Sequence, residues 1–315
     1  MGRCVAEAAV LHGFEVTTLG RRQVPGIMIV HDLRTPMGHI PATEWVFHLA
    51  GGYAGAGLRE LESDDLAIAR HVLDWGVARG VKNWVFASAA EVYGAISDIA
   101  SEDAPTCPVI PYGSVKLKIE HLFASFAARV SSCRVVVLRI GEVYGANGRL
   151  IQELRARFIR GFCPWFGPGA IPLSFVHVDD VAHAFIDAAR AAQSGLSVYN
   201  VADDEPTTWR EFLRFMSNLL GAKDPLFLPL PLARWYAAGS MLFAKATGRS
   251  PIVTQHVVRL LTTPKAISNL RAKKDLGLKL RYPNYRAGLE QVLGCLADRI
   301  LKEGFSGLPH HSQNG

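Results

Sequence analysis

The segment NWVFASAAEVYG, at residues 83–94, begins as a continuous apolar strand and ends in a polar turn closed by a glycine. A helical pattern follows at Tyr112–Ala128, and a second apolar strand, RVVVLR, occupies residues 134–139. Strands that are apolar on both faces are typical of parallel sheets covered by helices, and parallel strands need a crossover between them. This strand–helix–strand unit therefore predicts an α/β fold.

The same alternation extends towards the N-terminus and indicates further βα units. The expected elements are helix Arg3–Leu11, strands Phe14–Leu19, Ile27–His31 and Trp45–Leu49, and helix Leu61–Arg79. Together they predict a Rossmann-type, doubly wound parallel sheet over residues 1–202. A smaller, mostly helical substrate lobe is expected over residues 203–303, with residues 142–178 contributing to it, and residues 304–315 are expected to form a disordered tail.

Composition limits the class of protein. The 315 residues are 49% hydrophobic and 20% charged, which is enough apolar material for a sizeable core. The net charge of +6 is spread along the chain, so it favours an anionic ligand over a nucleic-acid surface. Five cysteines without C-x-x-C spacing indicate reduced thiols in a cytoplasmic protein, and no metal site is expected.

The most apolar stretch, residues 226–244, contains two prolines and an arginine and is therefore a poor membrane-spanning helix. We expect a strand and a packed helix there, with association with a membrane surface as the alternative.

The first residues resemble the end of a dinucleotide-binding motif, in which a strand and a glycine-rich turn precede a helix. Gly2 stands directly before the first helix and is expected to be the last glycine of that motif, so the sheet is expected to lack its first strand and the motif its first two glycines. Arg21 and Arg22 follow the next strand, where an acidic residue would favour NAD. Two arginines suit a 2′-phosphate, so NADP is favoured over NAD; the alternative is a pair of solvated side chains.

Tyr112 has a lysine four residues later, at Lys116, and residues at this spacing share one helix face. An ammonium beside a phenol favours the phenolate and is expected to lower the pKa of the tyrosine. Tyr112 is therefore a candidate acid/base, and Lys116 can also hold the nicotinamide ribose.

With these motifs in place, the chain resembles the extended short-chain dehydrogenase/reductase superfamily, also called the NAD-dependent epimerase/dehydratase family. The matching segments are VFHLA (46–50), SAAEVYG (88–94), PYGSVK (111–116), LRIGEVYG (138–145), SFVHVDDV (174–181) and YNV (199–201). The resemblance implies that Asp32 and Leu33 flank the adenine and that Ala50 and Gly51 line the cofactor. It also places the backbone near Val143 at the nicotinamide.

The chain departs from this family at the catalytic hydroxyl. The position that the family gives to a Ser or Thr holds Ala89, and the adjacent Ser88 can replace it only if the strand end twists, because neighbouring strand residues face opposite sides. Glu142 and Leu173 stand where sugar-nucleotide epimerases carry an Asn and an Arg, which are better partners for a diphosphate.

These observations favour an NAD(P)-dependent oxidoreductase acting on a hydroxyl or ketone of a small, lipophilic substrate. Residues 247–251 and 272–277 resemble the 3β-hydroxysteroid dehydrogenase and dihydroflavonol reductase branches. The alternatives are a nucleotide-sugar epimerase and a catalytically impaired dinucleotide-binding or interaction protein. His48 and His177 are expected to be structural, and a homodimer through the helices beginning near Leu61 and Tyr112 is expected by analogy.

Overall fold

A computed structural model describes residues 1–52, 57–232, 235, 237, 239–240 and 255–303. Its helices are α1 (Gly2–Leu11), α2 (Leu58–Leu61), α3 (Ala67–Ala78), α4 (Pro111–Arg129), α5 (Arg149–Ile159), α6 (Val178–Ala191), α7 (Trp209–Leu219), α8 (Gln255–Thr262), α9 (Leu270–Leu276) and α10 (Tyr285–Glu303). Its strands are β1 (Leu19–Gly20), β2 (Ile29–Val30), β3 (Trp45–His48), β4 (Asn83–Ala89), β5 (Arg134–Ile140), β6 (Glu142–Tyr144), β7 (Pro164–Phe166), β8 (Pro172–Leu173), β9 (Phe175–His177), β10 (Gly195–Val201), β11 (Thr207–Thr208) and β12 (Leu226–Leu228).

The central sheet is parallel and has the strand order β10-β5-β4-β3. Alternate residues of β4 enter two different cores, as a strand covered on both faces requires. Val85 and Ala87 pack with α1 and α6, whereas Trp84 and Phe86 pack with α3 and α4. The predicted α/β fold with a parallel, doubly covered sheet is confirmed.

Three predicted elements differ from the expectation. The strands expected at Phe14–Leu19 and Ile27–His31 are reduced to β1 and β2, because in the described residues their ladder consists of Leu19 and Gly20 paired with Ile29 and Val30. The helix expected at Leu61–Arg79 begins earlier, at Leu58, and contains a π-helical turn over Glu62–Leu66. Such turns insert one residue into the helical ladder and often mark functional sites.

The C-terminal part has its own apolar core, in which Phe175 stacks on Phe212 with ring centroids 4.2 Å apart. A capping box between Thr208 and Glu211 starts α7, and β8 pairs with β11. None of the described helices is both long and apolar enough to cross a membrane. The expectations for residues 247–251 and 304–315 lie outside the described residues, and the domain boundaries stay predictions.

Candidate functional site

A cavity of about 400 Å³ lies at the ends of β1 and β3. In parallel sheets of this type, ligands bind at the carboxyl ends of the strands. Four residues that the sequence assigned to a cofactor contribute to its wall. The lining residues are Leu19, Gly20, Arg21, Leu33, Ala50, Gly51, Gly52, Glu60, Leu61, Asp64, Asp65 and Ile68.

Four other cofactor candidates do not line this cavity. Gly2 is an exposed residue at the start of α1, Arg22 is exposed on the loop after β1, and Val143 is half-buried in β6. Asp32 is held by Arg34, whose Nη2 lies 2.6 Å from Asp32 Oδ2. These four assignments stay predictions.

The charged rim of the cavity includes a cation that the sequence reasoning missed. Arg34 forms an ion pair with Asp64 at 3.4 Å, and Arg21 approaches the same carboxylate at 3.8 Å. Hydrogen bonds from Arg34 lower the pKa of Asp32 to about 2. Nothing in the segment HDLRT distinguishes Arg34 from an ordinary surface arginine, so only the fold brings it beside Arg21.

Tyr112 and Lys116 lie on the first turns of α4, which begins with Pro111, a residue well suited to a first helical position. Lys116 Nζ lies 5.5 Å from the centre of the Tyr112 ring and donates a hydrogen bond of 3.1 Å to the Ala87 carbonyl. A Cβ on Gly51 would lie 3.2 Å from Lys116 Nζ. The ammonium therefore reaches the cavity wall at Gly51, with the tyrosine beside it.

The electrostatics of this pair differ from the expectation. Burial raises the pKa of Tyr112 above its usual value, and the carboxylates of Glu91, Asp65 and Glu142 raise it further. Burial lowers the pKa of Lys116, and the Asp65 carboxylate opposes that change. The predicted lowering of the tyrosine pKa is therefore wrong, because burial and three negative charges raise it. In this structure Tyr112 is a neutral phenol that can donate a proton.

Asp65 is a buried carboxylate in the π-helical turn, and the sequence reasoning missed it. Its Oδ1 accepts a hydrogen bond of 2.6 Å from the Gly52 amide, and its Oδ2 would lie 3.0 Å from a Cβ on Gly51. Within the described parts of the chain, Oδ2 has no hydrogen-bond partner. The run ESDDL indicates only the polar start of a helix, so burial of its fourth residue becomes visible only in the fold.

Ser88 faces away from the position expected for a catalytic hydroxyl. Its Oγ donates a hydrogen bond of 2.5 Å to Glu120 Oε1, and Glu120 forms a buried ion pair of 2.8 Å with Arg139. The strand stays extended through Ala89 (φ −147°, ψ 151°), so the local twist that would redirect Ser88 does not occur. A catalytic role for Ser88 stays a prediction, and this hydrogen bond argues against it.

The two histidines have structural surroundings. His48 is buried and stacks on Phe86 at 5.7 Å, and burial lowers its pKa to about 3. His177 caps α6, because its Nδ1 accepts a hydrogen bond of 3.2 Å from the Asp179 amide. Both contacts agree with the structural role expected for these residues.

An ionic triad around the buried Lys265 lies near Tyr112. Lys265 Nζ lies 2.6 Å from Glu91 Oε1 and 2.9 Å from Glu142 Oε2. Although burial opposes its charge, the Glu142 and Glu91 carboxylates raise the pKa of Lys265, so it is an ammonium. Leu173 is buried beside this triad, where its backbone bridges to Lys265. Lys265 was missed because it is an isolated lysine in the loop TPKA.

The model of the NAD dependent epimerase/dehydratase family matches residues 1–202. The chain belongs to this family. The resemblance predicted from its motifs is therefore confirmed, and with it the Rossmann-type fold. The family is named for its dependence on NAD.

Relatives of this family member include reductases and dehydrogenases. The chain is 30% identical over 174 residues to a 3-diazoavenalumate denitrifying reductase of Streptomyces, covering 55% of this chain and 50% of the relative. It is 26% identical over 255 residues to 3beta-hydroxysteroid-dehydrogenase/decarboxylase isoform 2 of Arabidopsis thaliana, covering 74% of this chain and 45% of the relative. The chain thus spans about half the length of these curated relatives.

Among solved structures, this family member is similar to MoeE5 in complex with UDP-glucuronic acid and NAD. The TM-score is 0.76 at 23% identity, and the match covers 94% of this chain and 97% of MoeE5. At this identity the likeness concerns the fold alone. It supports the observed parallel sheet with its helical C-terminal part.

Proposed function

We propose that the protein is an NAD(P)-dependent oxidoreductase that interconverts a hydroxyl and a ketone on a small, largely apolar substrate. The observation that carries this proposal is the position of Lys116, whose Nζ lies beside both the Tyr112 ring and Gly51 of the cavity wall. A candidate proton-transferring side chain thereby lies near a cavity at the ends of the parallel strands, where a dinucleotide would bind.

Individual parts of the cavity wall suit a dinucleotide. Gly51 and Gly52 leave space that side chains would fill, since a Cβ on Gly52 would lie 3.0 Å from Leu61 Cδ2. Ala50 and Leu33 offer apolar surface for a base, and Arg21 offers a guanidinium for a 2′-phosphate. On this basis NADP is the favoured cofactor, and NAD is the alternative.

The chain's own residues would handle the proton while the bound nicotinamide supplies or accepts the hydride. In the reducing direction, the neutral Tyr112 phenol gives its proton to the carbonyl oxygen as the carbonyl carbon gains hydride. Lys116 then stabilises the resulting tyrosinate, because an ammonium favours the charged phenolate. The reverse sequence would start from the tyrosinate, which would take the hydroxyl proton of an alcohol and return to the neutral phenol.

The proposal of a lipophilic substrate, rather than a nucleotide sugar, rests on residues at the C-terminal side of the site. Glu142 is a carboxylate and Leu173 is a buried alkyl side chain, and neither would pair with a diphosphate. The Arabidopsis relative is named for a hydroxysteroid, which is a lipophilic alcohol. A nucleotide-sugar epimerase is the second candidate, favoured by the likeness to MoeE5, whose structure contains UDP-glucuronic acid.

Turnover with a mixed panel separates these functions. The chain is incubated with NADP and steroid, flavonoid or cyclic alcohols, and the nicotinamide absorbance is followed. A net change in absorbance with an alcohol supports the oxidoreductase. Isomerisation of a UDP-sugar without a net change supports the epimerase, and no turnover of either class supports a dinucleotide-binding protein without catalysis.

A further inference from the structure

The triad of Glu91, Lys265 and Glu142 joins three separate parts of the chain at one side of Tyr112. Glu91 belongs to the 3₁₀ turn after β4, Glu142 begins β6, and Lys265 follows α8 in the C-terminal part. The Glu91 carbonyl lies against Gly113, the residue after Tyr112, at a distance of 2.3 Å from the position of a Gly113 Cβ. The triad is therefore next to the candidate acid/base.

The triad is partly exposed. Glu91 and Lys265 contribute to the wall of a very small pocket, together with Gly94, Val109, Ile110, Leu260 and Thr263. The side chains of Glu91 and Glu142 are 12% and 26% exposed, whereas that of Lys265 is 4% exposed. A molecule approaching Tyr112 from this side would therefore meet carboxylate oxygens before it met the ammonium.

The charges of the triad do not balance, since two carboxylates and one ammonium leave one net negative charge. Lys265 uses one oxygen of each carboxylate, Glu91 Oε1 and Glu142 Oε2. Among the described residues, the second oxygens of the two glutamates accept no hydrogen bond, so they are left to accept from a substrate. A low-dielectric site with this charge disfavours an anion and favours a hydrogen-bond donor.

We propose that Glu91, Lys265 and Glu142 form a charge filter at the substrate end of the site, which accepts a neutral, hydroxyl-bearing substrate and rejects anionic ones. This inference rests on the proposed oxidoreductase function and refines its substrate class. Lys265 acts as a positioning residue, because it holds the two carboxylates in place and is itself covered. The filter would exclude nucleoside diphosphates and carboxylates by like-charge repulsion rather than by shape.

The experiment measures binding to the full chain in the presence of NADP, so it does not depend on turnover. Three probes share one cyclohexanol ring and carry a hydroxyl, a carboxylate or an ammonium at the far end. Ligand-observed NMR gives the dissociation constant of each. We expect the hydroxyl probe to bind about tenfold more tightly than the carboxylate probe, and the ammonium probe to bind at least as tightly as the hydroxyl one.

Glu142→Gln keeps the shape of the side chain, removes one negative charge and retains the Glu91–Lys265 pair. It should reduce the preference for the hydroxyl probe over the carboxylate probe to about threefold or less. Glu153→Gln removes an equivalent charge from an exposed ion pair on α5 and should leave the preference unchanged. If Glu142→Gln does not fold, raising the salt concentration with the wild-type chain should weaken the discrimination instead.

Equal affinity for the three probes, or no binding of any of them, would overturn the charge filter. A preference for the hydroxyl probe over the carboxylate probe that neither Glu142→Gln nor salt alters would also overturn it. Charge discrimination without turnover of any alcohol would count against the oxidoreductase function alone, whereas turnover without discrimination would count against the filter alone.

Discussion

Replacing Arg21 by alanine should weaken NADP binding and leave NAD binding nearly unchanged. Arg21 is a cavity-lining cation, and its side chain is 57% exposed with the nearest carboxylate, Asp64, at 3.8 Å. A charge-assisted hydrogen bond to phosphate contributes about 1.5–3 kcal/mol. Exposure and competition from Asp64 place Arg21 at the low end of that range, which corresponds to a loss of about tenfold in affinity. NAD lacks the 2′-phosphate and should lose less than about twofold.

Arg22→Ala is the matched control. Both arginines were assigned to the phosphate from the sequence, but Arg22 is exposed and does not line the cavity. Calorimetric titration of NADP and of NAD into the wild-type chain and the two variants measures the six affinities that the comparison needs. Equal losses for the two cofactors with Arg21→Ala, or an equal loss of NADP affinity with Arg22→Ala, would refute the assignment.

Three further predictions concern Ala89, Asp65 and Asp203. Ala89→Ser should raise turnover about tenfold or more by restoring a hydrogen bond to the reacting oxygen, and unchanged steady-state kinetics would contradict this. The Asp65 carboxylate raises the pKa of Lys116, so Asp65→Asn should lower that pKa and move the alkaline limb of the pH–rate profile to lower pH. A shift of this limb to higher pH would contradict the prediction. Burial, reinforced by neighbouring carboxylates, raises the pKa of Asp203 from 3.8 to about 8, so the folded form holds a proton that the unfolded chain releases. The free energy of unfolding of the wild-type chain should therefore fall as the pH rises through this range, by up to about 5 kcal/mol. Thermal melts of Asp203→Asn should show a smaller loss of stability over the same pH range.

The parallel sheet was predictable because its strands carry their own signal. A run such as RVVVLR, with a helical pattern before it, has few alternatives to a buried parallel strand. The length of β1 was overestimated. Its apolar residues resemble a full strand, but strand length depends on which backbone partners the fold provides, and that information lies elsewhere in the chain.

The site was predictable where residues have a fixed local spacing. Tyr112 and Lys116 are one helical turn apart, and Arg21 directly follows a strand, so both could be assigned from the sequence. Asp65 and Lys265 could not be assigned, because their roles arise from contacts across many residues of sequence. The pKa of Tyr112 was mispredicted for the same reason: Lys116 is local, but the carboxylates that oppose it come from three other segments.

The proposed reaction is one in which Tyr112 transfers the proton while hydride passes between the nicotinamide and the substrate. It is tested most directly with NADPH carrying deuterium at the transferable position and a ketone from the active class, with the product examined by mass spectrometry. We expect one deuterium on the new carbinol carbon with the wild-type chain and no labelled product with Tyr112→Phe. Unlabelled product, or labelling that is equally fast in Tyr112→Phe, would contradict it.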